Sequence, residues 1–294
     1  MPDHNRKDYQ AIGLLLILSL IWGTSFILIK QGLKVFAPDE VAALRVSAAS
    51  LFLLPVALIK LKELQKKDFP LILVSGLLGI FIPSFLFAYA QTKLDSSVAG
   101  ILNTLSPLWT MVLGAIFFGQ RFKGYAIIGI IIGFAGTIVL AISRAGGTLG
   151  GFNSYALFIV LACAFYGANL NWVKYKIHNI PSLTITSVSV LLIGPLAIVY
   201  LLGISDFTAK IGQVEGAWRA FGFVVLLGCM STSIATALFN QLIKISTPLF
   251  ASSVTYIMPI VAVMWGVLDG EQLIIGHFIG MVCILGGVYL ANRK

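Results

Sequence analysis

Ile21-Trp22-Gly23-Thr24-Ser25-Phe26-Ile27-Leu28-Ile29-Lys30, set beside Phe165-Tyr166-Gly167-Ala168-Asn169-Leu170-Asn171-Trp172-Val173-Lys174, decides the fold. Both stretches place an aromatic residue, a glycine and a lysine at the same spacing, at a common offset of 144. The match extends outward on either side. Pro38 has a near counterpart in Pro181, and Lys93 through Pro107 corresponds to Lys244 through Pro259 with one residue of slippage. Gly119-Gln120 pairs with Gly270-Glu271, Gly129 with Gly280 and Gly136 with Gly287, all at an offset of 151. Self-similarity on this scale indicates a chain made of two copies of one unit.

The composition says in which solvent the copies fold. Of 294 residues, 59% are apolar and 11% charged, where a soluble domain carries about 25% charged residues. A water-soluble globule is excluded. A transmembrane helix needs roughly 20 mainly apolar residues, and ten such runs are present: 11–30, 40–59, 70–92, 96–118 and 124–142, then 153–173, 183–203, 217–243, 249–268 and 273–291. Turn-forming or charged clusters separate them, such as Gly119-Gln-Arg-Phe-Lys-Gly124 and Lys174 to Pro181. The fold class expected is therefore an all-α polytopic membrane protein, one membrane domain over 1–294, with repeats at 10–142 and 153–291. No room remains for a soluble domain. The first run is read as an uncleaved span, since no small-residue cleavage site follows it.

Twenty Lys and Arg against eleven Asp and Glu give a net charge of +9. In a soluble domain that balance would suggest nucleic acid; here the cations stand singly between apolar runs and record topology instead. With the N-terminus in the cytoplasm, thirteen of the twenty fall on inside segments and six outside, with Arg45 left within the second span. Both termini are thus expected to be cytoplasmic. Five spans per copy is an odd number, so the second copy enters the membrane inverted. Inverted repeats are the construction of secondary transporters, with the binding site at their junction. The three cysteines lie in three different apolar runs without paired spacing, which leaves packing as their reading.

Further residues carry a family resemblance: Ile21-Trp22-Gly23-Thr-Ser-Phe26, Ala43-Leu44-Arg45, Leu94-Asp-Ser-Ser-Val-Ala-Gly100 before Leu105-Ser-Pro107-Leu108, and Ile257-Met-Pro259-Ile260 before Gly270-Glu271. In this ordered set the chain resembles the drug/metabolite transporter superfamily, and within it the ten-helix EamA type, over about 10–291. The resemblance implies two interleaved five-helix bundles around a central cavity lined by spans one to four and six to nine, with the fifth and tenth at the flank. It implies a bacterial inner-membrane protein moving amino acids, nucleotide-related metabolites or other small organic molecules, without a tightly bound cofactor. One departure is Gln120, where the family usually has Glu.

An uncompensated polar group in lipid is costly, so deep polar residues must face protein or water. Ser25, Ser84, Asn103, Asn169, Ser233, Thr236 and Asn240 are the candidates to line a cavity, with Ser231 and Thr232 in the same run. Each Ser or Thr has another reading, a bond back to the carbonyl four residues earlier. Pro107 and Pro259 occupy matching places and either bend helices beside the cavity or merely shape packing. Trp22 and Tyr166, equivalent by the repeat, and Tyr256 are aromatic walls or gate packing; Trp172 and Trp265 read as interfacial belt residues. Arg45, Gly23 and Gly167 are assigned structural or gating roles, with substrate-carboxylate binding the other reading of Arg45. His277 reads as packing, and Gly129-x-x-x-Gly133 and Gly276-x-x-x-Gly280 as close helix contacts, within the chain or across a homodimer.

No HExxH, GxSxG or paired intramembrane carboxylates are present, which removes the machinery of an intramembrane hydrolase. The expectation is a secondary transporter of small neutral or amphipathic metabolites, amino acids including aromatic ones first, by alternating access. Nucleobases, cations or drug-like amphiphiles are the alternative cargo, and an intramembrane lipid-handling protein the alternative class. Without a midplane acid, facilitated diffusion or exchange is favoured over proton coupling.

Overall fold

The computed structural model describes residues 2–120, 124–143, 153–245 and 254–291, with side chains throughout except at 2–9, 240 and 243–245. Its elements are helices. Eight are long and apolar enough to cross a membrane and two apolar ones are shorter. They are named α1 (Pro2–Leu33), α2 (Pro38–Lys60), α3 (Asp68–Ala90), α4 (Ser96–Phe118) and α5 (Gly124–Ile142). The second set is α6 (Ala156–Lys176), α7 (Ser182–Gly203), α8 (Ala217–Leu227, Gly228–Ile234 and Ala235–Ile245), α9 (Val254–Leu268) and α10 (Ile275–Ala291). The ten predicted spans are all met, to within a few residues at most ends. The first five residues of the predicted ninth span, 249–253, lie outside the described residues.

Apolar side chains face outward as well as inward, as a lipid solvent requires. Ile12, Leu16 and Leu20 recur at every fourth residue of α1 and are about half exposed, one stripe of a helix turned to the bilayer. Polar side chains go inside: Ser19, Ser25, Ser47 and Ser50 are all buried.

The packing is paired. α1 lies against α8 and α9, and α6 against α3 and α4; α2 runs along α7, and α5 along α10. Glycines set the closest approaches. A Cβ on Gly23 would stand 2.5 Å from Val261 Cβ of α9, and one on Gly167 would stand 2.6 Å from the Thr110 nitrogen of α4. Between α5 and α10, a Cβ on Gly129 would meet the Gly287 carbonyl oxygen at 2.5 Å, and one on Gly287 would meet that of Gly129 at 2.5 Å. Gly136 and Gly280 approach each other in the same way. Of the two readings left open for the glycine pairs, this is the intrachain one: the small-residue face joins the fifth span to the tenth.

Three features were not in the sequence reading. α3 and α8 each contain a π turn, at Leu77–Phe81 and Gly228–Ile234, and their first residues are 151 apart. Pro55 lies inside α2, across from the helix that contains Pro195. The connection from Ile204 to Gly216 contains a short helix, Phe207–Gln213. Phe207 is buried there, with its ring 5.3 Å from that of Phe36 and 6.1 Å from that of Phe221.

Candidate substrate pathway

The π turn of α8 gathers most of the polar residues. Gly228 opens it, because a Cβ there would stand 2.5 Å from the Arg45 carbonyl oxygen; only glycine lets α8 come this close to α2. A π turn breaks the regular ladder of backbone hydrogen bonds, and side chains fill in. The Ser233 hydroxyl donates to the Gly228 carbonyl at 3.2 Å and lies 3.4 Å from that of Ala49. Trp22 donates its indole N–H to the Ser231 carbonyl at 3.1 Å. The Ser25 and Ser231 hydroxyls meet at 2.6 Å, and Ser25 also bonds the Ile21 carbonyl at 3.1 Å. Arg45 donates from Nε to the Thr232 hydroxyl at 2.8 Å. Trp22 completes the wall, its ring 5.0 Å from that of Phe239. Thr236 is half-buried one turn further along α8, and the side chain of Asn240 lies outside the described residues.

The π turn of α3 has a different chemistry. Pro83 has no N–H for the Gly79 carbonyl and its ring would crowd it, which is a physical cause for loosening the helix here. Ser84 donates to the Ile80 carbonyl at 2.7 Å, so its hydroxyl is spent on its own helix. Asn169, the counterpart of Ser25 by the 144 offset, accepts from Ser75 at 2.8 Å and lies where a Cβ on Gly79 would be. Ser25 and Asn169 therefore each bond the π-turned helix of the opposite half. Tyr166, the counterpart of Trp22, stacks on Phe87 with ring centroids 6.0 Å apart and lies within electrostatic range of Arg45.

The matched prolines bring a third group together. Pro107 follows a 3-10 turn, Asn103–Leu105, that interrupts α4. Asn103 in that turn points its amide nitrogen at the Met258 sulfur, 3.8 Å away, and its carbonyl side faces Ser106 and Cys163. Pro259, next to Met258, is buried inside α9. Tyr256 is half-buried in the same helix and packs against the main core. Met258 and Cys163 were missed as neighbours of this group, since an apolar residue in an apolar run carries no sequence signal.

Trp265 and Trp172, expected to lie in the interfacial belt, both donate into the protein. Trp265 bonds the Thr24 hydroxyl at 2.9 Å and Trp172 the Leu71 carbonyl at 3.0 Å. Trp265 thereby ties α9 to α1 beside Ser25.

At the end of the bundle bearing Lys30, charges tie the helices together. Glu271 follows Gly270, whose φ of 85° ends the turn after α9 in a left-handed conformation suited to glycine. Its Oε1 accepts from Lys30 Nζ at 2.7 Å, the Ser96 nitrogen at 2.8 Å and the Ser96 hydroxyl at 2.7 Å. Its Oε2 accepts from the Ser97 nitrogen at 3.0 Å and hydroxyl at 2.6 Å. A carboxylate 175 residues away along the chain thus caps the N-terminus of α4, where free N–H groups and the helix dipole favour a negative charge. Burial pushes the Glu271 carboxyl up, but donation from Lys30, Ser97 and Ser96 outweighs it and holds the group at about 2. Asp269 also pairs with Lys30, at 2.9 Å; burial raises its carboxyl, and the contacts with Lys30, Lys34 and Gln31 bring it below its ordinary value. Glu40 is buried between the Ala37 nitrogen and Lys210, each at 2.7 Å.

The corresponding place in the first half is neutral. Gln120 follows Gly119, which has a φ of 65°, and donates to the Tyr175 hydroxyl at 2.9 Å and to Asn171 at 3.3 Å. The departure at Gln120 thus replaces a charged tie by an amide one.

Cavities open between the described helices. One of about 380 Å³ lies at the Lys30 end among Asp95, Val98, Leu140, Asn153 and His277, with burial raising the Asp95 carboxyl above its ordinary value. Another, about 510 Å³, is an apolar groove between α3 and α7 lined by Phe81, Phe85, Pro195 and Tyr200.

The model of the EamA-like transporter family matches residues 10–142 and again 153–293, nearly the whole chain. The chain belongs to the EamA-like transporter family. This EamA-like chain is 26% identical to an "Uncharacterized transporter" of Archaeoglobus fulgidus, over 93% of its own length and 95% of that protein's. It is 26% identical to the inner membrane transporter YedA of Escherichia coli K12, over 91% of this chain and 86% of that one. A "Probable amino-acid metabolite efflux pump" of the same strain is 23% identical, over 97% and 95% of the two chains. A solved crystal structure superposes with a TM-score of 0.63, at 21% identity and 96% coverage of both chains, and shares the fold. The family is a ten-helix one, which accounts for the two shorter helices α9 and α10 as spans beside the eight longer ones. The protein is a multi-pass membrane transporter.

Proposed function

We propose that the protein exports or exchanges small neutral or amphipathic metabolites, with amino acids, aromatic ones included, as the leading cargo. The observation that carries this reading is the layer around the α8 π turn: indole, hydroxyl and guanidinium groups from α1, α2 and α8, with Tyr166 and Phe87 beyond. Every Asp and Glu of the described side chains stands at a helix end or in a connection, so this layer suits a cargo with a ring or short apolar body and a few polar atoms. A phosphate ester or nucleotide sugar would require several cations there. The printed description of one relative as an amino-acid metabolite efflux pump supports the same direction.

The two halves are read as inverted repeats that rock about this layer. The reading is supported by the 144 and 151 offsets, by the paired packing of α1 with α8 and α9 and α6 with α3 and α4, and by the matched π turns. In this arrangement both termini are cytoplasmic and the Lys30 end faces outward, so the Glu271 tie closes the outer end. The cycle runs as facilitated diffusion or exchange.

The test is counterflow in proteoliposomes. Liposomes loaded with one unlabelled amino acid at a time should accumulate a labelled neutral aromatic amino acid, and a pH gradient alone should drive no accumulation. Asn103→Leu should cut the flux without lowering membrane yield. Absence of flux from folded protein, across amino acids, would end the cargo reading and turn the search to nucleobases, cations and amphiphiles.

A further inference from the structure

Arg45 stands about two turns inside α2, at a helix position where a cation needs a partner. Among the described residues its hydrogen-bond partner is the Thr232 hydroxyl, which takes Nε. A guanidinium has five N–H donors in a rigid fork. The four on its two terminal nitrogens make no ion pair or hydrogen bond among the described side chains, although Tyr166 lies within electrostatic range. Several acids of the described residues are engaged elsewhere: Asp39 and Glu40 bond Tyr200 and Lys210, Asp269 and Glu271 bond Lys30, and Glu63 bonds Lys60. Among the described residues, Arg45 is a cation without a counter-ion.

We infer that Arg45 receives a carboxylate of the transported molecule, so that the cargo class is narrowed to monocarboxylates, amino acids among them. This rests on the transport reading above and adds the anionic group to it. The geometry favours a carboxylate in two ways. Thr232 holds Nε at 2.8 Å and so fixes the guanidinium plane, leaving the paired terminal N–H groups to meet two oxygens side by side. A phosphate would bring a second negative charge, and no Lys or other Arg of the described residues lies in this layer. The neighbouring rings of Trp22 and Tyr166 can then take the rest of the molecule by stacking. Thr232 acts as the positioning residue for the guanidinium.

The experiment compares three probes of one size in counterflow and in ligand-induced thermal stabilisation of the purified protein: L-phenylalanine, 3-phenylpropionate and L-phenylalaninamide. The two carboxylates should bind at least tenfold more tightly than the amide. Arg45→Lys, which keeps the charge and loses the fork, should remove most of that preference while folding normally by size exclusion and melting. Arg45→Gln should abolish it. Equal binding of the amide and the acid to the wild-type protein would overturn the inference while leaving transport standing, and a preference that survives intact in folded Arg45→Lys and Arg45→Gln would overturn the role of Arg45. Binding of neither carboxylate to folded wild-type protein would also overturn it; whether transport itself fails is then read separately, from counterflow of nucleobases and organic cations.

Discussion

The indole nitrogen of Trp22 is held 3.1 Å from the backbone carbonyl of Ser231, so a side chain from the first helix donates into the π turn of the eighth. Trp22→Phe keeps the ring and removes the donor. Losing a buried hydrogen bond costs about 0.5–1.5 kcal/mol, and the variant should unfold at a lower temperature and turn over more slowly in counterflow. Unchanged melting and flux would show that water serves the carbonyl equally well.

Lys30 and Glu271 separate two roles that one carboxylate performs. Lys30→Met removes the ion pair but leaves the four bonds from Ser96 and Ser97, and Lys30 is 26% exposed, so it should cost only about 1 kcal/mol. Glu271→Gln breaks the pair and weakens the cap on α4, and should cost about 3 kcal/mol. Both should speed modification of a cysteine placed at Val98 by a membrane-impermeant thiol reagent added from the Lys30 side. If only melting changes and labelling does not, the contact is a helix cap and nothing more.

The same carboxylate makes stability depend on pH. Its value in the folded protein, about 2, lies below the 4.5 of the free group, so its contribution is fully present above about 4.5 and is lost as pH falls from there through about 2. Melting followed from pH 7 to pH 3 should decline in the acid part of that range. Glu271→Gln should flatten the decline; an identical profile in the variant would assign it to other groups.

Gly287 touches the Gly129 carbonyl and the Gly133 nitrogen so closely that a Cβ would lie at 2.5 and 2.6 Å from them. Gly287→Val should force α5 and α10 apart and cost about 3 kcal/mol, without changing the oligomeric state measured by light scattering. A shift from dimer to monomer with normal melting would place this face between chains instead.

Much of the architecture could be read from the chain because its causes are local. Apolar runs of membrane length, turn clusters between them and glycines recurring at offsets of 144 and 151 are all visible one residue at a time. The left-handed turns at Gly119 and Gly270 belong to this class. The candidate site was legible only in part. Ser25, Ser233, Arg45 and Trp22 were singled out by depth and polarity, but that they meet on one turn of α8 depends on contacts more than 180 residues apart in sequence. The π turns themselves gave no signal: one follows from a proline, the other from a glycine and three hydroxyl residues. Glu271 was seen only as a member of the repeated Gly119-Gln120 and Gly270-Glu271 pair, because its partners Lys30, Ser96 and Ser97 are distant in the chain. The partner of Trp265 was hidden for a related reason, since a tryptophan near a span end looks the same whether its N–H meets a headgroup or Thr24.

The turns at Leu77–Phe81 and Gly228–Ile234 have a mechanical consequence. A π turn stores one surplus residue, and an α-helix advances about 100° per residue. Sliding the surplus by one position along the rod spins the intervening residue by roughly that angle, at the expense of one or two backbone bonds rather than a whole helix. Two rods with such slack at corresponding heights can therefore re-aim their side chains by creeping like a crease through a carpet, while their ends stay fastened.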